Sequence, residues 1–403
     1  MKKEGWKYDQ LGNICDTLNG LWKGKKEPFV NVGVIRNANF TKDFTLDFSN
    51  IEYLDVEARQ YAKRKLQKGD LIVEKSGGSE KQPVGRTVLF DREDGDFSFS
   101  NFTSVLRIKD AKLISPKYLY KFLLFVYLRG DTRTMQKATT GIHNIEFDKF
   151  LSIQVPVPPL KEQEEIVAYL DGEFERIEKL KRNAEAALQH TKDLFQSTLK
   201  QLLTPKPNWE EKKLKEIGLT QTGTTPSKSD STNYGNEIPF IRPSEINIDG
   251  CGGIEYDSEI KLSQKGVSVG RLFSTHSILM VCIGATISKV GYTDQPVSCN
   301  QQINVLTPKE KYDCKFIYYA MSAPDFKKKV IKEGTSAQAT LPIINKGKWE
   351  QLSIRIPPLA EQQAIVSRLD TLSEHCRKLE QNYRDTLTLC DDLKQALLRE
   401  VFE

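Results

Sequence analysis

The sequence predicts an α+β chain built twice. Two similar globular parts alternate with two long antiparallel helices that pair as a coiled coil, with internal pseudo-two-fold symmetry. Three observations carry this expectation. Pro158-Pro159-Leu160-Lys161-Glu162-Gln163-Glu164-Glu165-Ile166-Val167-Ala168-Tyr169-Leu170-Asp171 returns as Pro357-Pro358-Leu359-Ala360-Glu361-Gln362-Gln363-Ala364-Ile365-Val366-Ser367-Arg368-Leu369-Asp370, with nine of fourteen positions identical. The offset of 199 holds without a gap through Asn183/Asn382, Leu188/Leu387 and Asp193/Asp392. Outside these stretches short β-rich runs and polar glycine loops dominate, and their offsets drift between 198 and 207. A repeat covering half the chain is an architectural duplication rather than a solenoid unit. Variable loops on a constant scaffold are the usual carrier of a binding specificity.

The first globular part, 1–157, opens with Trp6, Leu11 and Ile14, and the second, 205–356, with Trp209, Leu214 and Ile217. This spacing predicts a short strand or turn leading into a glycine loop at Gly20 and Gly223. Strands are predicted at Pro28–Val32, Asp70–Val73 and Thr87–Phe90, and again at Pro239–Arg242, Ser277–Val281 and Ile303–Leu306. Gly69 to Val73 aligns with His276 to Met280, and Val84-Gly85-Arg86 with Val290-Gly291-Tyr292. Helices are expected late in each part, near 116–129 and 314–331.

The helical parts are 158–204 and 357–403. Pro158-Pro159 sets a rigid start, and Glu162, Glu164 and Glu165 place negative charge where the helix dipole favours it. Steps of three and four through Val167, Leu170, Phe174, Ile177, Lys181, Ala184, Leu188, Thr191, Phe195, Thr198 and Leu202 form a heptad seam. The second seam reads Leu369, Leu372, Cys376, Leu379, Tyr383, Leu387, Cys390, Leu393, Leu397 and Val401. A lone helix about 65 Å long would leave such a seam wet. Pairing of the two helices with each other is the economical solution; binding of other proteins is the alternative.

Composition sets bounds. A length of 403 residues allows two to three domains with proper cores. The formal charge of +5 permits a polyanion partner without demanding one. Seven cysteines without a Cys-x-x-Cys pair, and no signal peptide, suggest a reducing cytosol and a cytoplasmic location. The longest apolar run, Tyr118 to Leu128, contains Lys121 and is too short for a bilayer. The four histidines lack metal-ligand spacing. No Walker A motif, Asn-Pro-Pro-aromatic tetrad or glycine-rich cofactor loop is present; Gly250-Cys251-Gly252-Gly253 has no helix behind it. Asp70 with Glu74-Lys75 has the wrong spacing for a nuclease, so no catalytic residue or metal site is assigned.

Candidate binding residues lie in the polar loops. Lys25, Lys26, Lys75, Ser79 and Lys81 in the first part, and Thr224, Thr225, Ser227, Lys228, Ser244 and Lys289 in the second, suit phosphate contacts. Arg36 and Arg242 follow similar strands and suit a guanine edge. Turn chemistry on a solvated surface is the plain alternative.

The alternation of parts, with Pro-Pro-Leu-x-Glu-Gln at 158–163 and 357–362, resembles the specificity subunit of a Type I restriction–modification system over the whole chain. Gly223-Thr224-Thr225-Pro226-Ser227, Ile238 to Arg242 and Asn300-Gln301 also resemble its recognition domains; the first copy departs with Gly20-Leu21-Trp22-Lys23. The resemblance implies target recognition domains at 1–157 and 205–356 and conserved helical regions at 158–204 and 357–403. Each domain would read one half of an asymmetric bipartite site in double-stranded DNA. The helices would set the gap and recruit two methyltransferase subunits carrying S-adenosylmethionine, which methylate adenine at N6. A restriction and translocase subunit would use ATP and Mg²⁺. The chain itself would bind no cofactor and catalyse nothing. A coiled-coil scaffold with two protein-binding heads is a second reading, and a fused single-chain restriction enzyme a third.

Overall fold

The computed structural model describes residues 5–21, 24, 26–139, 141–246, 253–335 and 342–403. Packing divides it into two units, 1–182 with 387–403, and 183–386. Each unit holds one α+β head and one half of each long helix.

In the first unit, the strand Lys7–Gln10 pairs antiparallel with Gln154–Val157, the strand that feeds the long helix Leu160–Leu202. The opening block differs from expectation. A one-turn helix, Leu11–Ile14, and a second strand, Cys15–Asn19, intervene before Gly20. Burial of Leu11 and Ile14 stabilises that turn. The main sheet is antiparallel, in the order Cys15–Asn19, Thr103–Ile108, Asp70–Glu74, Thr87–Phe90. All of Asp70–Glu74 is buried. Both of its acids are paired: Arg107 donates to Asp70 at 2.7 Å, and Arg86 to Glu74 at 2.8 Å. A second sheet joins Glu52–Glu57, Phe29–Ile35 and Phe97–Phe99, the last pair parallel.

The apolar run of this head is the helix Pro116–Arg129, with proline at its start and Gly130 ending it at φ +92°. Its core includes Leu170, Phe174 and Ile177 of the first long helix and Val401 and Phe402 of the second, Leu359–Phe402. The interrupting Lys121 is buried, bonded to Asp171 at 2.6 Å and lying over the Phe174 ring at 4.4 Å.

The second unit repeats this plan. Glu210–Lys213 pairs with Ser353–Ile356, and Leu214–Ile217 forms the one-turn helix. The main sheet runs Gly218–Thr222, Ile303–Pro308, Ile278–Val281, Val290–Tyr292. In the second sheet Ile238–Ile241 pairs parallel with Ser298–Cys299. The late helical segment is two helices, Cys314–Ser322 and Pro324–Thr335, because Pro324 cannot extend the first.

One predicted alignment is corrected. Gly77 at φ +104° and Gly284 at φ +106° hold equivalent places at an offset of 207. Gly85 at φ +97° and Ser288 at φ +75° are equivalent at 203. Glu74 N–H donates to Arg86 O at 2.8 Å, and Val281 N–H to Lys289 O at 2.9 Å. The second loop is therefore four residues shorter. Val290 matches Thr87, not Val84, and Lys289 matches Arg86. A shared Val-Gly dipeptide misled the alignment; the left-handed backbone positions fix it.

Within the first unit the long helices run antiparallel, with Glu178 to Lys394 at 3.3 Å and Lys181 to Asp391 at 2.9 Å. Within the second, Cys376 Sγ lies 3.9 Å from Thr191 O, and Phe195 and Leu199 share a core with Ile365, Val366 and Leu369. The seam phase also needs correction. Leu379 and Leu393 are exposed, and the buried or half-buried seam positions are Glu380 and Lys394. Leu199 is buried where Thr198 was expected. A polar residue can hold a seam position when its charge is paired. Glu380 bonds Arg384 at 3.1 Å, and the Lys394 ammonium lies 5.0 Å from the centre of the Phe174 ring.

Candidate nucleic-acid interface

Antiparallel pairing dictates where the loops gather. Asn19 and Glu74 end their strands at the edge of the first main sheet where Thr87 and Thr103 begin theirs. The loops after 19, after 74 and before 103 therefore leave from one edge. Arg36 joins them, because Ser100 N–H donates to Ile35 O at 2.9 Å. Asn37 Nδ2 donates to Ser76 O at 2.6 Å, Lys75 N–H to Phe102 O at 2.9 Å, and Lys75 Nζ to Asn19 Oδ1 at 3.4 Å. Burial lowers the Lys75 pKa. A cavity of about 450 Å³ opens at this edge, lined by Leu21, Val34, Arg36, Glu52, Leu54 and Phe102 among others.

The second head does the same with other residues. Thr222 and Val281 end at the edge where Val290 and Ile303 begin. Thr224 N–H donates to Cys299 O at 2.9 Å, and Asn300 N–H to Ile241 O at 3.1 Å. Thr225 Oγ1 donates to Gln301 Oε1 at 2.5 Å, and Lys289 Nζ to Pro243 O at 3.0 Å. Gly20 and Gly223 permit this closure in both heads. A Cβ on Gly20 would lie 1.8 Å from Ser100 O, and one on Gly223 2.1 Å from Asn300 O.

The structure thus brings Arg36 and Lys75 together, and likewise Thr224, Thr225, Arg242, Ser244 and Lys289. Lys26, Ser79, Lys81, Ser227 and Lys228 lie in exposed loop segments. Ser79 closes its own turn with Gln82, and Ser227 bonds Ser229 at 2.8 Å. Lys25, Trp22, Lys23 and Gly250 to Gly252 lie outside the described residues. Both arginines are paired with acids: Arg36 with Glu52, and Arg242 with Glu245 at 2.7 Å. Ser244 Oγ donates to Glu245 at 2.9 Å. Sequence reasoning missed these acids. Glu245, three residues after Arg242, was visible as an i,i+3 pair; Glu52 comes from a neighbouring strand and was not. It also passed over Asn37, Phe102 and Gln302, which line the same edges.

The opposite edge of each sheet faces the helices, and the repeated motif seals it. Gln163 is fully buried: Oε1 accepts from Ser115 N–H at 2.8 Å, while Nε2 donates to Leu113 O at 3.0 Å and Pro158 O at 2.8 Å. Gln362 does likewise, accepting from Asp313 N–H at 2.9 Å and donating to Pro357 O at 2.8 Å. Trp6 Nε1 donates to Glu162 at 3.0 Å. Glu361 is held below the usual carboxylate range, first by Lys206. Asp171 takes Lys121; its counterpart Asp370 takes Lys315 and the Tyr319 hydroxyl, each at 2.7 Å. The motif is a joint between head and helix.

Among the described residues no group of three or more His, Cys, Asp or Glu side chains could hold a metal ion, and no helix is long and apolar enough to cross a membrane. The family model described as Type I restriction modification DNA specificity domain matches residues 3–188 and 206–389. The Type I restriction enzyme StySPI specificity subunit of Salmonella potsdam is 24% identical, over 99% of this chain and 89% of that protein. The EcoKI specificity subunit of Escherichia coli strain K12 is 23% identical, over 99% and 89%. Among solved structures, a chain from work on complex assembly and conformational transition of the type I R-M system gives a TM-score of 0.77 at 19% identity, covering 100% of this chain and 99% of that one. The HsdS subunit from Thermoanaerobacter tengcongensis gives 0.55 at 19% identity, covering 100% and 97%. These likenesses extend the two-head fold to both. Matched in both of its copies, the chain belongs to the type I restriction–modification DNA specificity family.

Proposed function

We propose that this chain is the sequence-reading subunit of a type I restriction–modification complex in the cytoplasm. Each head reads one half of an asymmetric bipartite site in double-stranded DNA, and the long helices set the gap. One observation carries the reading: in each head, cationic side chains gather on the sheet edge opposite the helix joint, joined in the second head by the hydroxyls of Thr224, Thr225 and Ser244. Lysines and hydroxyls there position the phosphate backbone, and arginines and amides read base edges.

The chain acts by binding alone. Two methyltransferase subunits supply S-adenosylmethionine and modify adenine, and restriction subunits use ATP and Mg²⁺ to translocate and cut. The helices offer those partners an apolar outer surface. Leu180 and Leu393 are exposed in the first unit, and the equivalent Leu379 and Leu194 in the second. Methylome sequencing of cells carrying the chain with its partner subunits tests the function. A two-part motif with modified adenines is expected. A scaffold with two protein-binding heads would leave no such motif, and its association with duplex DNA would be absent even at low salt.

A further inference from the structure

The two reader arginines stand at the same place in their heads, at an offset of 206. In both, the backbone N–H is capped by a side chain three residues on. Arg36 N–H donates to Asn39 Oδ1 at 2.9 Å, and Arg242 N–H to Glu245 Oε2 at 2.7 Å. Only the second cap also holds the guanidinium. Glu245 accepts from Arg242 Nη2 at 2.7 Å and Nε at 3.3 Å. Ser244 Oγ, at 2.9 Å, is its further donor.

The geometry leaves Arg242 one edge to use. A guanidinium has two bidentate edges, Nε with Nη2 and Nη1 with Nη2. Glu245 occupies the first. Among the described residues the Nη1–Nη2 end is the one left to match O6 and N7 of a guanine. The Glu245 side chain is 7% exposed and that of Arg242 33%, so the acid sits behind the arginine. Burial raises the acid's pKa, but bonds from Arg242 and Ser244 outweigh that and hold it below the usual carboxylate range. The turn is anchored to the sheet at Ile241 and tied by Lys289 to Pro243 O. A base-reading side chain set on a rigid strand end with its rotamer locked loses little freedom on binding.

We propose that Glu245, braced by Ser244, is the positioning residue that presents the Nη1–Nη2 end of Arg242 to a guanine in the half-site of the second head. The proposal rests on the DNA-reading function above.

The test uses the full chain co-expressed with its methyltransferase partners. Methylation is measured on duplexes substituted at each position of both half-sites. Arg242→Ala relaxes discrimination at one G·C position by roughly five- to hundredfold. Arg242→Lys relaxes the same position, because an ammonium cannot form the bidentate pair. Glu245→Gln keeps the volume and relaxes that position about three- to tenfold, with the other half-site unmoved. Melting of each purified variant separates reading from folding. Glu245→Gln that melts lower yet discriminates as the parent does would make the acid a turn brace and overturn the proposal. So would an Arg242→Ala that weakens all sequences alike with a shallower salt dependence, the mark of a phosphate contact. A parent complex without any bipartite motif is a different failure, that of the DNA-reading function itself.

Discussion

The two heads agree at one end and differ at the other. At the helix joint the same amide, Gln163 or Gln362, bonds the same main-chain groups. At the loop edge the first head has Leu21, Phe102 and an Arg36 facing the exposed Glu52; the second has Thr224, Gln302 and an Arg242 held by the buried Glu245. The joint must be the same because both heads dock on equivalent stretches of helix. The edge has no such constraint, and there the difference between two half-sites can be written. Arg36 sharpens the point. Its Nη1 faces Glu52, so that end of the guanidinium is already paired, and among the described residues its buried Nε has no partner. On the proposed function, the first head would exchange a partner to bind, while the second is set in advance.

Four substitution pairs would break or sharpen this comparison. Gly20→Ala and Gly223→Ala should be the most damaging, each driving a Cβ into a carbonyl that cannot retreat, at about 3 kcal/mol or more. Thermal unfolding should show matched losses; a large loss in one head only would deny their equivalence. Next, Gln163→Ala and Gln362→Ala each orphan buried main-chain groups and should cost about 2–4 kcal/mol, read by denaturant unfolding. If either is neutral, the motif is not the joint.

The third pair should part in sign. Glu245→Gln loosens reading by the second head. Glu52→Gln frees the Arg36 end and removes an acid from the edge proposed to face DNA, so affinity for the cognate duplex should rise about threefold in a binding titration. Weakened binding by Glu52→Gln would mean Glu52 itself touches a base, for instance a cytosine amine. The smallest effects belong to Lys75→Ala and Lys289→Ala. Each should weaken all duplexes and reduce the salt slope by about one charge, and Lys289→Ala, which also unties Pro243, should add a small loss of discrimination at the position read by Arg242. For Lys75, a change confined to one sequence would move the lysine from backbone to base.

Much of the architecture was legible because it rests on local pattern. The prolines before 160 and 359, the acids of the first turn and the spacing of apolar residues located both long helices. Short β-branched runs located the central strands of both heads. What was not legible depends on contacts across the chain. Leu379 looks like a better seam residue than Glu380, and apolar spacing does not show the Arg384 partner that pairs with the buried acid. The four-residue difference between the Gly77–Gly85 and Gly284–Ser288 loops was hidden by a chance Val-Gly match. For the candidate site, sequence located the loops but not the partners of their side chains. Arg36 meets Glu52 only because strands Phe29–Ile35 and Glu52–Glu57 pair.

The buried glutamine has a consequence for how such a protein can change over generations. Among the described residues the side chains of Gln163 and Gln362 bond main-chain atoms alone, of the head and of the helix entry, and every head has a main chain. A plug that ignores side chains accepts a foreign head as readily as a native one, provided the head offers a helix start at the same spot. Recombination between related genes at the Pro-Pro-Leu-x-Glu-Gln codons would then yield a folded protein with a new half-site in a single event, whereas point substitutions would have to rebuild an edge residue by residue.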